Sequence, residues 1–375
     1  MHISKHNYAI ELERQGNRVY FMNPPNQRQE IEDYQLTKIE SYNALFVIDS
    51  FLFNNRLIDF LRLRLKFTQI YDRYLFKLVK RICKQQNIQL EQVWSFDPNL
   101  HGFLYKYPAR KRIFFIADAV QNNSQRRAAK NADLVVSVAE GILEPFRKMN
   151  PRCLLINHGL NRSYENFAVK KLEALKLQKS EDYENFNRVQ VGYIGNLMIP
   201  YLCHQELKRV VVDNPGIDFH FWGAYSSKEN NLMATYDQVI HDSIQYIRGN
   251  CTNAYFYGIR ESDEIINDLE KIDAFIYINN SMKDINGGAN SHKILEYLST
   301  GKVIISTYLS FYKDLNLLNM IPKEDEKNYP VFFNEIITAL SVHNTKDKMI
   351  SRIRYALSNT YGMNIESIML AASKN

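Results

Sequence analysis

The stretch 286–306, NGGANSHKILEYLSTGKVIIS, gathers residue types that together could hold an anion. Gly287 and Gly288 let another molecule approach the backbone, Ser291 stands where a helix N-cap would, and the amides of a first helical turn carry partial positive charge. Lys293 adds a full positive charge in that turn, where a diphosphate would sit. One turn on, Glu296 is acceptor-only when ionised and can take hydrogen bonds from two vicinal hydroxyls, such as those of a ribose. At about 100° per residue, Ile294, Leu295 and Leu298 share one side of this helix, and His292, Lys293 and Glu296 share the other. The alternative for the same residues is a solvated helix face whose glycines only turn the chain.

The elements that must position these residues read as alternating strands and helices. Gly301 ends the helix, and Val303, Ile304 and Ile305 have the composition of a buried strand. Upstream, strands are expected over 189–194, 217–222, 253–257 and 274–278, with helices over 202–212 and 261–269. Three of these strands end at Gly195 (followed by Asn196), Gly223 and Gly258, where backbone approaches something or turns sharply. Earlier strands are expected over 18–22, 45–48, 93–96, 113–116 and 134–138. Asp97 and Asp118 stand at the ends of two of them. Ligands of a parallel sheet gather at the carboxyl ends of its strands, so either aspartate could be a general base for an acceptor hydroxyl, or simply cap the next helix. His101 and His158 are further candidates with the same structural alternative. Helices are expected over 332–342, 347–358 and 363–373.

The segment SHKILEYLSTGKVIIS resembles the "P-x-K-x-x-E-Y-L-A-x-G-K-P-V-V" segment in the C-terminal domain of GT-B glycosyltransferases of the family 1/family 4-like group, which includes bacterial enzymes that build surface polysaccharides. ADLVVSVAEGILEPF and LLINHG are similar to the end of that family's N-terminal domain, and VGYIGN, DFHFWGAY and AYFYGIRESDEI to the first three strands of its C-terminal domain. The resemblance implies an α/β fold of two doubly wound, Rossmann-like domains facing across a cleft. It assigns 1–160 to an acceptor-side domain, 161–188 to a linker, 189–360 to a nucleotide-sugar-binding domain, and 361–375 to a helix crossing back to the first domain. It makes Lys293 and Glu296 the ligands of the donor's diphosphate and ribose, and puts the loop from Tyr257 through Gly258 to Arg260 against the base. The implied reaction transfers a sugar from a nucleotide diphosphate donor to a glycan or lipid-linked acceptor, with no metal and no other cofactor. Two departures matter. Asn196, Leu197 and Met198 stand where family members often carry Arg or Lys, and Gly288 stands where they often carry Glu. The family's first strand has no counterpart either, so the natural chain is expected to start upstream of Met1 or to have been shortened.

Composition bounds these readings. The chain has 375 residues, 45% hydrophobic and 23% charged, enough for two ordinary cores. No apolar run reaches the roughly 18 residues of a spanning helix, and the first 20 residues lack a signal-peptide core, so a cytoplasmic location is expected. The four cysteines are scattered, without a CxxC pair. Net charge is +6, and the stretch 55–84 concentrates Arg56, Arg62, Arg64, Lys66, Arg73, Lys77, Lys80, Arg81 and Lys84. Interleaved leucines and phenylalanines make it a basic amphipathic helix for the inner face of an anionic cytoplasmic membrane, or a solvated helix face. No nucleic-acid motif accompanies the charge. A nucleotide-sugar 2-epimerase and a catalytically inactive GT-B binding subunit are the alternatives. A dehydrogenase is disfavoured, since no strand is followed by GxGxxG.

Overall fold

The computed structural model describes residues 4–24, 34–50, 69–97, 102–117, 123–177, 188–226, 237–283 and 290–373. The chain divides into two units, His158–Thr360 and His2–Asn157 with Tyr361–Asn375.

In the unit built from the two chain ends, the apolar runs become β1 (Val19–Met22), β3 (Leu45–Ser50), β4 (Leu90–Ser95), β5 (Ala109–Ile116), β6 (Leu134–Ser137) and β7 (Cys153–Leu155), with β2 (Tyr34–Lys38) between the first two. Among the described residues they form two sheets, ordered β1-β3-β2 and β4-β5-β6-β7. β2 runs antiparallel to β3 and was not foreseen. Its sequence, YQLTK, has a single aliphatic residue and sits half-exposed at a sheet edge. Inward residues of β5 and β6, including Ile113, Phe115, Leu134 and Val136, pack with Tyr8 and with Tyr361, Ile365 and Ile368 of the C-terminal helix Tyr361–Ser373. Asn364 Nδ2 of that helix donates to the Asn157 carbonyl at 3.0 Å.

The other unit holds one six-stranded sheet: β8 (Gln190–Ile194), β9 (Asp218–Trp222), β10 (Ala254–Gly258), β11 (Ala274–Tyr277), β12 (Val303–Ser306) and β13 (Asn319–Met320). All pairings are parallel and the order is β10-β9-β8-β11-β12-β13. That is the doubly wound order 3-2-1-4-5-6, with its switch point between β8 and β11. Successive residues of a strand face opposite sides, and both sides are buried, which is why these strands read as unbroken apolar runs. Phe219, Phe221, Ala274 and Ile276 enter one core. Trp222, Phe275 and Tyr277 enter the other, together with Ile294, Leu295 and Leu298 of the helix His292–Ser299.

The stretch expected as a linker over 161–188 contains the helix Arg162–Leu177, which packs Ala168 and Leu175 on Met349 and Ile353. Among the described residues no helix is long and apolar enough to cross a membrane.

Candidate functional site

The helix His292–Ser299 follows β11 and leads into β12, so its start lies beside the switch point of the sheet. Its apolar side is fully buried, and this fixes the direction of the other side. Ser291 occupies the N-cap position but its side chain makes no capping bond. At the far end, Gly301 has a φ of +78° and closes the helix, while Arg352 donates to the Gly301 carbonyl at 3.0 Å and the Leu317 carbonyl at 3.1 Å.

Tyr297 ties this helix to the first strand of the sheet. The Ile194 backbone N–H donates to its hydroxyl at 2.8 Å, and the hydroxyl donates to the Ile194 carbonyl at 3.2 Å. Its ring stacks on Phe275 with centroids 4.4 Å apart. The carboxyl end of β8 is therefore held to the helix one residue before Gly195.

Gly195 and Lys293, ninety-eight positions apart in the sequence, meet here. A Cβ on Gly195 would collide with the Lys293 ammonium and lie 3.0 Å from its Cε and 3.1 Å from the Tyr193 hydroxyl. The ammonium lies 5.7 Å from the centre of the Tyr193 ring. A Cβ on Gly223, whose φ is +141°, would in turn collide with the Gly195 carbonyl. Close approach of backbone requires glycine at Gly223, while at Gly195 it is the Lys293 and Tyr193 side chains that come close. Hydrogen bonds from Gly195 N to Trp222 O (2.7 Å), Leu197 N to Ala224 O (2.8 Å) and Gly223 N to Gly258 O (2.8 Å) stitch the ends of β8, β9 and β10 into one floor.

Electrostatics single out Glu296. Desolvation pushes its pKa up from 4.5 to about 7, against the opposing pull of Lys293. The side chain is only partly buried, and among the described residues nothing donates a hydrogen bond to its carboxylate. His158 and His292 face each other with ring centroids 5.9 Å apart. Burial pushes His158 down to about 4, with a hydrogen bond to the Asn290 backbone pulling the other way. His292 keeps an exposed edge, yet desolvation, then His158, then Lys293 push its pKa down. Both rings are neutral at pH 7, which leaves Lys293 as the positive charge of this group.

Leu197 and Met198 account for one departure from the glycosyltransferase pattern. Both are buried in the core and the Asn196 side chain accepts from Met198 N at 2.8 Å, so this turn, after the end of β8, is a plug of apolar groups. Tyr257 stacks against Trp222 (5.1 Å) and His220 (5.8 Å), and its hydroxyl lies 2.8 Å from His220 Nδ1. Arg260 is exposed, bonded through Nε to the Tyr257 carbonyl at 3.2 Å and paired with Glu264 at 3.7 Å. Gly258, with φ +72°, turns the chain between them.

The structure thus brings together Gly195, Asn196, Ser291, His292, Lys293 and Glu296. It puts Tyr257, Gly258 and Arg260 at the end of β10, two strands from β8. Asp97 follows β4 in the other unit and is partly buried. Gly287, Gly288, Asp118 and His101 lie outside the described residues. Sequence reasoning overlooked Tyr193 and Tyr297; a polar-tipped ring inside an otherwise aliphatic run was the signal, since a buried hydroxyl needs a partner. Among the described residues no cluster of histidine, cysteine and carboxylate side chains could hold a metal ion.

The fold is α/β and is that of the GT-B glycosyltransferases, as the doubly wound sheet and the structural comparisons agree. The chain is similar to a UDP-forming α,α-trehalose-phosphate synthase from Burkholderia xenovorans (TM-score 0.65, 10% identity, covering 97% of this chain and 96% of that one). It is similar to sucrose-phosphate synthase from Thermosynechococcus elongatus (TM-score 0.63, 10% identity, 98% and 93%). A third similar structure is Anabaena HepE in complex with UDP and glucose (TM-score 0.54, 13% identity, 78% and 81%). No protein-family model matches the sequence, and comparison with curated proteins finds no match.

Proposed function

We propose that the protein is a glycosyltransferase that moves a sugar from a nucleotide diphosphate donor to a hydroxyl of a glycan or lipid-linked acceptor, in the synthesis of a cell-surface polysaccharide at the inner face of the cytoplasmic membrane. The observation that carries this reading is the meeting of the Lys293 ammonium with Gly195 at the switch point of a doubly wound sheet, one helical turn from Glu296. A diphosphate seated over Gly195 lies against a positive charge and a helix start, and the adjoining ribose comes within reach of a carboxylate. Complexes of similar proteins with UDP support a donor of this class.

In the reaction the bond from the sugar's anomeric carbon to the diphosphate breaks and a bond to the acceptor oxygen forms. Lys293 and the helix start stabilise the negative charge that grows on the leaving diphosphate, a contribution that strengthens as the bond opens and so accelerates the step. No metal is required for it. If configuration inverts, the acceptor proton passes to Asp97 or Asp118; if it is retained, no such base is needed, because the departing diphosphate oxygen takes the proton. Neutral His158 and His292 can donate or accept without repelling Lys293.

The test is Lys293→Ala assayed with a panel of nucleotide diphosphate sugars. Donor-induced thermal stabilisation should fall and transfer should drop by about 10²- to 10³-fold, in keeping with loss of one transition-state charge partner, while the unliganded melting point holds. Unchanged transfer removes Lys293 from the site. The apolar plug at Leu197 and Met198 favours one second reading, a subunit that binds donor without turning it over; donor binding with no transfer and no epimerisation would establish it.

A further inference from the structure

The helix Gln69–Gln85 packs Leu78 and Ile82 against Ile48 and the β1-β3-β2 sheet, and Leu75 is fully buried as well. Its opposite side carries Arg73, Lys77, Lys80, Arg81 and Lys84, all exposed. At about 100° per residue these cations share an arc of about 100°, and at about 1.5 Å per residue they extend about 17 Å along the axis. The one acid of the helix, Asp72, is wholly buried and committed inward, accepting from Arg127 at 2.9 Å and from Ser124 at 3.1 Å. Among the described residues Arg73, Lys77, Lys80 and Lys84 form no ion pair. Like charges one turn apart, as at Arg73 and Lys77 or Lys80 and Lys84, destabilise a helix. Among the described residues no acid on the helix offsets that cost, and the exposed row of cations is complementary to a negatively charged surface.

Phe76 borders the arc, and the Tyr107 ring packs on it with centroids 5.7 Å apart. This brings the turn Leu104–Lys106 alongside, with Tyr105 exposed and the Lys106 ammonium 4.4 Å from the centre of the Phe103 ring. An exposed tyrosine beside a lysine is the pair that settles at the headgroup level of a bilayer. The arc itself is basic rather than apolar, which fits resting on headgroups and not insertion between chains.

We infer that the Arg73–Lys77–Lys80–Lys84 arc is a docking surface for an anionic lipid leaflet, with Tyr105 and Lys106 at its margin. The inference deepens the membrane part of the proposed function and rests on it, since a lipid-linked acceptor is met in the plane of such a leaflet. Its geometry requires only charge complementarity: a row of cations spaced within a Debye length of about 8–10 Å meets a surface of uniformly negative potential.

The test is co-sedimentation of the full chain with vesicles of phosphatidylcholine, or of phosphatidylcholine with phosphatidylglycerol. Each cation near such a surface contributes about fivefold to partitioning, so Arg73→Gln, Lys77→Gln, Lys80→Gln and Lys84→Gln together should lower binding to the anionic vesicles by about 10²- to 10³-fold. The matching set that keeps the charge, Arg73→Lys with Lys77→Arg, Lys80→Arg and Lys84→Arg, should retain it. Binding of the unaltered chain should also fall steeply with salt, which tests the idea even if the fourfold variant folds poorly. Equal binding to both vesicle types, an unchanged partition in the glutamine variant, or tight binding to RNA without binding to anionic vesicles overturns the inference. Donor-induced stabilisation of the glutamine variant, measured in parallel without lipid, should be unchanged; its loss from the unaltered chain as well would instead strike at the glycosyltransferase reading.

Discussion

Replacing Glu296 by glutamine should make the protein more stable and less able to bind its donor, and the two effects should share one pH dependence. The folded protein raises the pKa of this carboxyl from 4.5 to about 7, because burial costs the charged form more than Lys293 returns. That gap of about 2.5 pH units, at about 1.4 kcal/mol per unit, sets an upper bound of about 3.4 kcal/mol. The side chain is partly exposed, so solvent reduces the effect to about 1–3 kcal/mol. The sign follows from linkage: a group whose folded pKa is raised contributes stability that is fully present below its unfolded pKa and is lost as pH rises through the folded value. The wild type therefore loses stability between about pH 4.5 and about pH 7, and Glu296→Gln does not.

Thermal melts at a series of pH values measure this directly. At about pH 4 the two proteins should melt within a degree or so of each other, and above about pH 7 the glutamine variant should melt higher by about 2–12 °C, given about 2–4 °C per kcal/mol for a domain of this size. Donor affinity supplies the second reading. If ionised Glu296 accepts from the ribose hydroxyls, the fraction of competent protein falls about tenfold from about pH 8 to about pH 6, and the Kd of the wild type rises by the same factor. The variant should bind more weakly at about pH 8 and show no such slope. A variant that is destabilised at every pH, or whose gain does not grow between about pH 5 and about pH 8, would refute a carboxylate held against its own solvation.

Three further outcomes follow from the same geometry. Gly195→Ala places a methyl group on the Lys293 ammonium and strains a backbone at φ +159°, so KM for the donor should rise about 10-fold or more, with some loss of stability read in urea unfolding. Tyr297→Phe strips the partner from the Ile194 backbone N–H, a buried donor, and should cost about 1–3 kcal/mol in urea unfolding as well as loosening the end of β8. Arg352→Met leaves the Gly301 and Leu317 carbonyls unpaired behind the site helix; a loss of about 2–4 kcal/mol read from the shift in the urea midpoint is expected, with donor affinity altered far less than in Gly195→Ala.

How much of this was legible in the sequence depended on how local each signal is. Three strands of the second unit, β8, β9 and β10, are apolar runs closed by Gly195, Gly223 and Gly258, and each ends within a residue or so of the place the run and the glycine mark, whereas the two-residue β13 carries no such signal. The site helix was bounded by Ser291 and Gly301 in the same way. β2 carries no such run, whereas 160–188 read as a charged, helical-looking stretch at a domain boundary, and the helix Arg162–Leu177 lies in it. The contacts that define the site are of another kind. Nothing near Gly195 announces Lys293, and nothing near Ile194 announces the Tyr297 hydroxyl; these meetings depend on strand order, which pairs β8 with β11 across more than eighty residues. Leu197 and Met198 taught the converse lesson. As letters they marked a missing cation, whereas in the fold they are core side chains.

Glu296 and Tyr297 are neighbours on one helix, and the contrast between them bears on what the helix is for. The Tyr297 hydroxyl is buried with a donor and an acceptor both satisfied by Ile194, and its ring stacks on Phe275, so its polar atom strengthens the fold. The Glu296 carboxyl is desolvated without a described hydrogen-bond donor, in a position where an uncharged side chain would leave the folded state more stable above pH 7. A residue that lowers stability where it stands is not explained by packing or by the helix. Under the proposed function the donor answers this, since its vicinal hydroxyls, one helical turn from a diphosphate at Lys293, would donate hydrogen bonds to the ionised form.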